Sequence, residues 1–217
     1  MAGADGRSAE LRDLTEPLCA DLDAAHRARE EGLAACRRAI RSSGRAIRAI
    51  HRGQSDTARS LRAEAEEALR HAQAATDPHP QVAHAGFLHD AEKEYAEAVL
   101  TAALVDGTPL PCREDIGVGV PAWFCGLAEA ASELRRHLLD RIRAGELARG
   151  EQLLSAMEDV YDVLVAVDYP DALTGGLRRT TDALRAVLER SRADVTTTVM
   201  QARLQAALEA RLDAGSA

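Results

Sequence analysis

The strongest constraint on the fold is a spacing of three and four between apolar residues that continues from position 11 to position 50. Such spacing predicts one long amphipathic helix. The residues that carry it are Leu11, Leu14, Leu18, Leu22, Ala25, Leu33, Cys36, Ile40, Gly44, Ile47 and Ile50, with Arg29 as a polar interruption between Ala25 and Leu33. No segment of the sequence shows the strict alternation of apolar and polar residues that a half-buried strand needs. The sequence therefore predicts an all-α fold.

Glycine and proline residues divide the rest of the chain into further helices. Gly53 ends the first helix, and Ser55 with Asp56 begins the second. Two prolines then make a turn of residues 76–80. We predict helices at about 55–75, 81–104, 121–142, 150–167 and 170–212, the last being either two helices or one bent helix. Mostly short connections indicate an antiparallel bundle.

Size and composition indicate one domain without a membrane segment. A chain of 217 residues with 46% apolar content can bury one substantial core. Its net charge of −8 argues against binding nucleic acid or anionic membranes with the whole surface. The four cysteines form no Cys-x-x-Cys pair, and the longest uncharged stretch, residues 116–128, is too short to span a bilayer. We expect one cytoplasmic domain over residues 1–217, with disordered ends at about 1–8 and 213–217.

Three carboxylates share one stripe of the predicted third helix. Asp90, Glu94 and Glu97 are spaced by four and three, which places them on one helical face. Like charges at this spacing repel one another, so the stripe suggests a nearby cation. Because acidic surface runs are common, a solvated acidic face is the alternative.

A second pair of carboxylates lies on the predicted fifth helix, where Glu158 and Asp162 are one turn apart. If the third and fifth helices pack side by side, oxygen ligands from both could hold Mg²⁺ or Mn²⁺. A metal in such a site activates water and neutralises charge on a phosphoryl oxygen. This pattern favours phosphodiester hydrolysis.

A basic stripe follows the first helix. Its arginines are Arg37, Arg41, Arg45, Arg48 and Arg52, and no acidic residue occurs between Gly32 and Ser55. Guanidinium groups in a row match successive phosphates of a nucleic-acid strand. The alternative is salt bridges to the acidic run at residues 64–67.

Other site types lack their motifs. The sequence has no His-Glu-x-x-His zinc motif and no Glu-x-x-His pair for a di-iron bundle. An all-α nucleotide pyrophosphohydrolase would need a second acidic motif shortly after Glu94 and Glu97, and only the first half is present.

Taken together, these segments resemble the translin family, and specifically its prokaryotic Trax-like members. The helix from Gly86 to Ala98 is similar to the family's Gly…Gln-Glu-Tyr-x-Glu-Ala motif. Further similar segments are residues 39–53, 126–136, 160–162 and 167–179. The resemblance covers about residues 30–200, and the order and spacing of the segments make it specific.

The resemblance implies a seven-helix subunit of a hollow octamer that binds single-stranded RNA or DNA inside and, in Trax-like subunits, cleaves RNA with Mg²⁺. Glu94 and Glu97 match the family's catalytic glutamates, and Asp162 matches the aspartate of its Val-Tyr-Asp motif. Glu158 and Glu133 are further candidate ligands, although Glu133 could equally pair with an arginine. Where the family usually has glutamine, this chain has Lys93. Its ammonium group either weakens metal binding or holds the scissile phosphate.

The expected function is that of an endoribonuclease that uses Mg²⁺ or Mn²⁺ on single-stranded or loosely paired RNA, with Glu94, Glu97 and Asp162 as ligands. The expected RNA contacts are Arg41, Arg45, Arg48, His51, Arg52, Arg135, Arg136, Arg178 and Arg179. A translin-like protein that binds single strands without cutting them is the competing hypothesis. A hydrolase that uses the same acids on free nucleotides is a third.

Overall fold

The computed structural model describes residues 2–215, with side chains described for residues 7–214, and every regular element in this range is an α-helix. The helices are α1 Ala2–His51, α2 Ser55–Thr76, α3 Pro80–Ala83, α4 Phe87–Asp106, α5 Arg113–Ile116, α6 Val120–Arg143, α7 Leu147–Val165, α8 Asp171–Thr174 and α9 Leu177–Gly215. Six of them are long, and α3, α5 and α8 are single turns. The all-α prediction is confirmed.

The predicted third helix is divided differently in the structure, whereas the last segment takes the two-helix form, one of the two predicted. The predicted third helix is split, because Gly86 adopts a φ of +92° between α3 and α4. The last segment consists of the single turn α8 and the continuous helix α9, separated by Gly175 and Gly176 with φ of +60° and +90°. At the ends where we expected disorder, the backbone is helical at residues 2–8 and 213–215. Met1 and residues 216–217 lie outside the described range.

Helix α6 is the centre of the bundle. It packs against α4 on one side and against α7 and α9 on the other, while α1 packs along α2 and α4. Gly126 permits the close approach of α6 to α4: a Cβ at this position would lie 2.7 Å from Ala96 Cβ and 2.9 Å from the Glu97 backbone nitrogen. Because glycine has no side chain, the two backbones come together there without a clash.

The apolar stripe of α1 is buried only in its second half. The four leucines of the first half are 55–70% exposed: Leu11, Leu14, Leu18 and Leu22. On the second half of α9, Met200, Leu204 and Leu208 are also exposed. Both long helices thus extend apolar residues beyond the packed core. In residues 2–215, no helix combines the length and apolar content needed to cross a bilayer.

Candidate functional site

Three glutamates from two helices converge at the contact between α4 and α6. Glu94 and Glu97 of α4 and Glu129 of α6 each offer one carboxylate oxygen, and these oxygens lie within 4.8 Å of one another. The predicted pair on α4 is thus part of a larger group, in which Glu129 was missed by sequence reasoning. Asp90, the first member of the predicted stripe, is exposed and does not belong to this group.

Glu97 is the buried member of this carboxylate group, with an exposed fraction of only 9%. Burial, followed by the negative charges of Glu129, Glu94 and Glu133, raises the pKa of Glu97 to about 8. Both causes disfavour the ionised form. At neutral pH the Glu97 side chain is therefore mainly protonated when no other cation is present.

Lys93 places an ammonium group inside the acidic cluster. Its Nζ donates hydrogen bonds of 2.8 and 2.7 Å to the two carboxylate oxygens of Glu129 and lies 3.4 Å from Glu94 Oε1. Burial acts to lower the pKa of Lys93, but the hydrogen bond and charge of Glu129, aided by Glu94, outweigh it and raise that pKa. The lysine is therefore charged and already neutralises part of the carboxylate group.

A chain of hydrogen bonds begins at Glu133, one turn after Glu129 on α6. Glu133 Oε2 lies 2.5 Å from His51 Nε2, and His51 Nδ1 lies 3.1 Å from His137 Nε2. Burial first, and then the charge of His51, lowers the pKa of His137. Because Glu133 is an acceptor, His51 Nε2 donates to it, and the tautomer decides which ring donates in the His51–His137 hydrogen bond. The His51 side chain is only 4% exposed. This expected RNA contact is therefore buried and does not lie on the exposed face with the arginines.

The structure does not bring Asp162 and Glu158 to the carboxylate group. Helix α7 packs against α6 and α9, and α6 occupies the side of α4 where the prediction required α7. Glu158 Oε1 accepts hydrogen bonds of 2.9 and 2.6 Å from Arg192. Asp162 is exposed beside Arg185 and Arg192. In place of Asp162, α6 supplies Glu129.

The arginines predicted on α1 form an exposed basic face. Arg41, Arg45, Arg48 and Arg52 are all exposed. Arg45 Nη1 lies 4.0 Å from Glu64, which is the salt bridge expected under the alternative interpretation. Among the residues that the structure describes, the other three have no carboxylate partner, so most of this face is available to an anion.

The remaining predicted arginines differ in their surroundings. Arg135 donates to Asp194 at 2.7 Å and to Ser191 at 3.0 Å, so its guanidinium group is already engaged. Arg136 and Arg178 are exposed, and Arg178 borders a separate cleft between α7 and α9. Arg179 instead lines a cleft of about 570 Å³ together with Glu97, Glu129 and Glu133. Among the predicted RNA-binding arginines, Arg179 is the one that lines the cleft with these carboxylates.

The chain is similar to several solved structures over nearly its whole length. It is 31% identical to AfC3PO in the structure of its complex with duplex RNA, with a TM-score of 0.75, covering 91% of this chain and 98% of that one. A crystal structure of AfC3PO gives 30% identity and a TM-score of 0.75 over 91% and 99% of the two chains. The crystal structure of apo-NeC3PO, at 16% identity and a TM-score of 0.71 over 91% and 98%, shows the fold alone.

Sequence comparison gives less. No protein-family model matches the sequence. An uncharacterised protein of Methanocaldococcus jannaschii, MJ0175, is 28% identical over 121 residues, which are 55% of this chain and 54% of that protein. The match thus spans about half the length of the curated relative.

Proposed function

The chain is a prokaryotic member of the translin family, and from this premise we propose that it is a metal-dependent endoribonuclease acting on single-stranded or loosely paired RNA. The observation that carries the proposal is the convergence of Glu94, Glu97 and Glu129, two of which, Glu97 and Glu129, line a cleft together with Arg179. AfC3PO, at 31% identity, has been solved with duplex RNA, which supports RNA as the ligand.

The residues present suit a divalent cation with a preference for oxygen ligands. Glu94, Glu97 and Glu129 supply carboxylate oxygens at mutual distances compatible with one ion. They project from two packed helices rather than from loops, which favours a fixed geometry. The buried Glu97 carboxyl also gains from a cation, because the negative charges of Glu129, Glu94 and Glu133 outweigh the opposing charge of Lys93. When bound there, Mg²⁺ or Mn²⁺ would activate water and neutralise charge on a phosphoryl oxygen.

The chain's own residues would bind and place the strand. Arg179 lies beside the carboxylates, where its guanidinium group can hold the phosphate to be cleaved in a bidentate manner. Arg41, Arg48 and Arg52 would bind phosphates further along the strand and supply affinity without sequence preference. The Glu133 carboxylate is held in place by His51.

Exposed apolar residues support assembly with further copies of the chain. The leucines of the first half of α1 and the apolar residues of the second half of α9 would be buried by helices of neighbouring subunits. This fits the hollow homo-octamer that the family resemblance implies. A native mass measurement of the purified protein tests it, and a monomeric mass would contradict it.

The position of Lys93 supports a second candidate function, which is RNA binding without cleavage. Its ammonium group bonds to Glu129 at 2.7 Å and so takes the place of part of a metal ion's charge. A protein of this kind would bind RNA with an affinity that falls steeply with salt concentration. Arg48→Gln would reduce that salt dependence by about one phosphate contact. The wild-type protein itself would form no cleavage product in Mg²⁺ or Mn²⁺.

A cleavage assay with single-stranded RNA, in Mg²⁺ or in EDTA, distinguishes the candidates. Glu94→Gln, Glu97→Gln and Glu129→Gln should each abolish Mg²⁺-dependent cleavage and leave RNA affinity largely intact. Asp162→Asn should keep cleavage, because Asp162 does not belong to the carboxylate group. Undiminished cleavage by the three glutamine variants would refute the proposal. Phosphate release from nucleoside triphosphates without RNA cleavage would indicate a nucleotide hydrolase instead.

A further inference from the structure

A second cavity, of about 450 Å³, lies where α1 ends and α2 begins. The last turns of α4 and α6 and the first turn of α7 complete its wall. Its charged lining consists mainly of guanidinium groups, with only Asp106 and Asp140 as acids. The arginines are Arg52, Arg59, Arg62, Arg141 and Arg149. In a chain with a net charge of −8, this is a local concentration of positive charge.

Among the residues that the structure describes, three of these guanidinium groups have no carboxylate partner: Arg52, Arg62 and Arg149. Within the part of the chain that the structure describes, neither Arg52 nor Arg62 forms an ion pair, and Arg62 Nε is buried without a hydrogen-bond acceptor. A buried donor without an acceptor destabilises the structure around it. Because Arg62 lines the cavity, an anion bound there would lie beside its unpaired positive charge.

The wall of the cavity is held in place before any ligand binds. Arg149 donates to the Val105 carbonyl oxygen at 2.8 Å and to Gln152 at 3.0 Å. The first of these bonds also covers the carbonyl end of α4. His137, which lines the cavity, is bonded to the buried His51. A preformed, positively charged wall is suited to a compact anion.

We propose that this cavity binds a phosphate group, either of a free phosphate compound or of the end of an RNA strand. Guanidinium groups match phosphate oxygens in charge and in bidentate geometry. The volume is sufficient for a nucleotide-sized group. The cavity is distinct from the carboxylate cleft, since Glu133, His51 and His137 lie between the two. Only the RNA form of this proposal rests on the RNA binding proposed above.

Calorimetric titration with inorganic pyrophosphate, in EDTA and without RNA, tests the site directly. The wild-type protein should bind pyrophosphate, and Arg52→Gln and Arg62→Gln should each weaken binding about tenfold, as expected for loss of a charge-assisted hydrogen bond. Arg190→Gln is the matched control: Arg190 is exposed on α9, outside the cavity lining. Circular dichroism melting of each variant verifies folding, and the exposed Arg52 keeps the test informative if Arg62→Gln fails to fold.

The source of the phosphate is decided with two RNA oligonucleotides that differ only in a 5′-phosphate or a 5′-hydroxyl end. Tighter binding of the 5′-phosphorylated strand, lost in Arg52→Gln, identifies an RNA end as the ligand. Equal binding of both strands, with pyrophosphate binding retained, identifies a free phosphate compound. Absence of pyrophosphate binding at millimolar concentration, or equal binding by wild type and both cavity variants, overturns the proposal. Loss of RNA cleavage in the carboxylate variants has no bearing on this result.

Discussion

Replacement of Glu97 by glutamine should change how the stability of the protein depends on pH. The pKa of Glu97 rises from an ordinary value of 4.5 to about 8, chiefly because the carboxyl group is buried and secondly because three carboxylates surround it. Between these two values the folded protein retains a proton that the unfolded chain has lost. Stability therefore falls as the pH rises through this window. Glutamine has nearly the same shape and cannot ionise, so it removes this contribution.

The magnitude follows from the two pKa values. A tenfold difference in proton affinity corresponds to about 1.4 kcal/mol. At pH 7, Glu97 should thus lower the free energy of unfolding by about 3 kcal/mol relative to a permanently neutral side chain. Between pH 6 and pH 8 the wild-type protein should lose about 2 kcal/mol more stability than Glu97→Gln.

Urea unfolding in EDTA at pH 6, 7 and 8, followed by circular dichroism, measures this difference. The matched control is Glu151→Gln on α7, because Glu151 is exposed and lies outside the carboxylate group. This control should follow the wild-type pH profile. Parallel profiles for wild type and Glu97→Gln would show that the buried carboxyl group ionises normally, and the electrostatic account of the site would be wrong.

Two other substitutions test the cation site and the helix contact beneath it. Lys93→Gln should tighten Mn²⁺ binding about tenfold, because the ammonium group no longer repels the ion. The control Lys93→Arg keeps the positive charge and should keep the wild-type affinity. An unchanged Mn²⁺ affinity of Lys93→Gln in calorimetry would contradict this prediction. Gly126→Ala should lower the free energy of unfolding by about 1–3 kcal/mol and abolish Mn²⁺ binding, because the new methyl group would force α4 and α6 apart. Gly44→Ala is its control, because the added Cβ meets only a guanidinium nitrogen at 3.6 Å. Urea unfolding should show that Gly44→Ala raises the free energy of unfolding by about 0.5–1 kcal/mol. Equal effects of the two substitutions would refute the packing argument.

Local rules predicted the helices well and the long-range contacts poorly. Apolar spacing is a property of one segment, so it located α2, α6 and α7 to within a few residues. The same spacing continues through Leu11 and Leu22, but periodicity does not show what a helical face packs against. In the single chain those leucines are exposed. The break at Gly86 was missed because one glycine within an otherwise helical pattern does not by itself require a positive φ.

Only half of the candidate site was predicted, because the other half depends on contacts between helices that local spacing does not show. Glu94 and Glu97 belong to one helix and could be paired from their spacing alone. The third carboxylate depends on which helix lies beside α4. Asp162 was expected there from its match to the family motif and on the assumption that α7 packs beside α4. The signal that could have identified Glu129 is Gly126, three residues earlier: a glycine on a helical face permits close approach of a partner helix.

The charges of the site indicate that cation binding should be coupled to proton release. With Glu97 mainly protonated at neutral pH and Lys93 charged beside Glu129, the free cluster already carries little net negative charge. For Glu97 and Glu129 to hold a divalent cation, Glu97 would have to lose its proton and the Lys93 ammonium would have to leave Glu129. The Glu97 proton would weaken metal binding below pH 8, and the charged Lys93 would weaken it on both sides of this pH. The displaced ammonium would then be available to a substrate phosphate beside Arg179. Lys93 would thus both lower the affinity for the metal ion and hold the RNA strand.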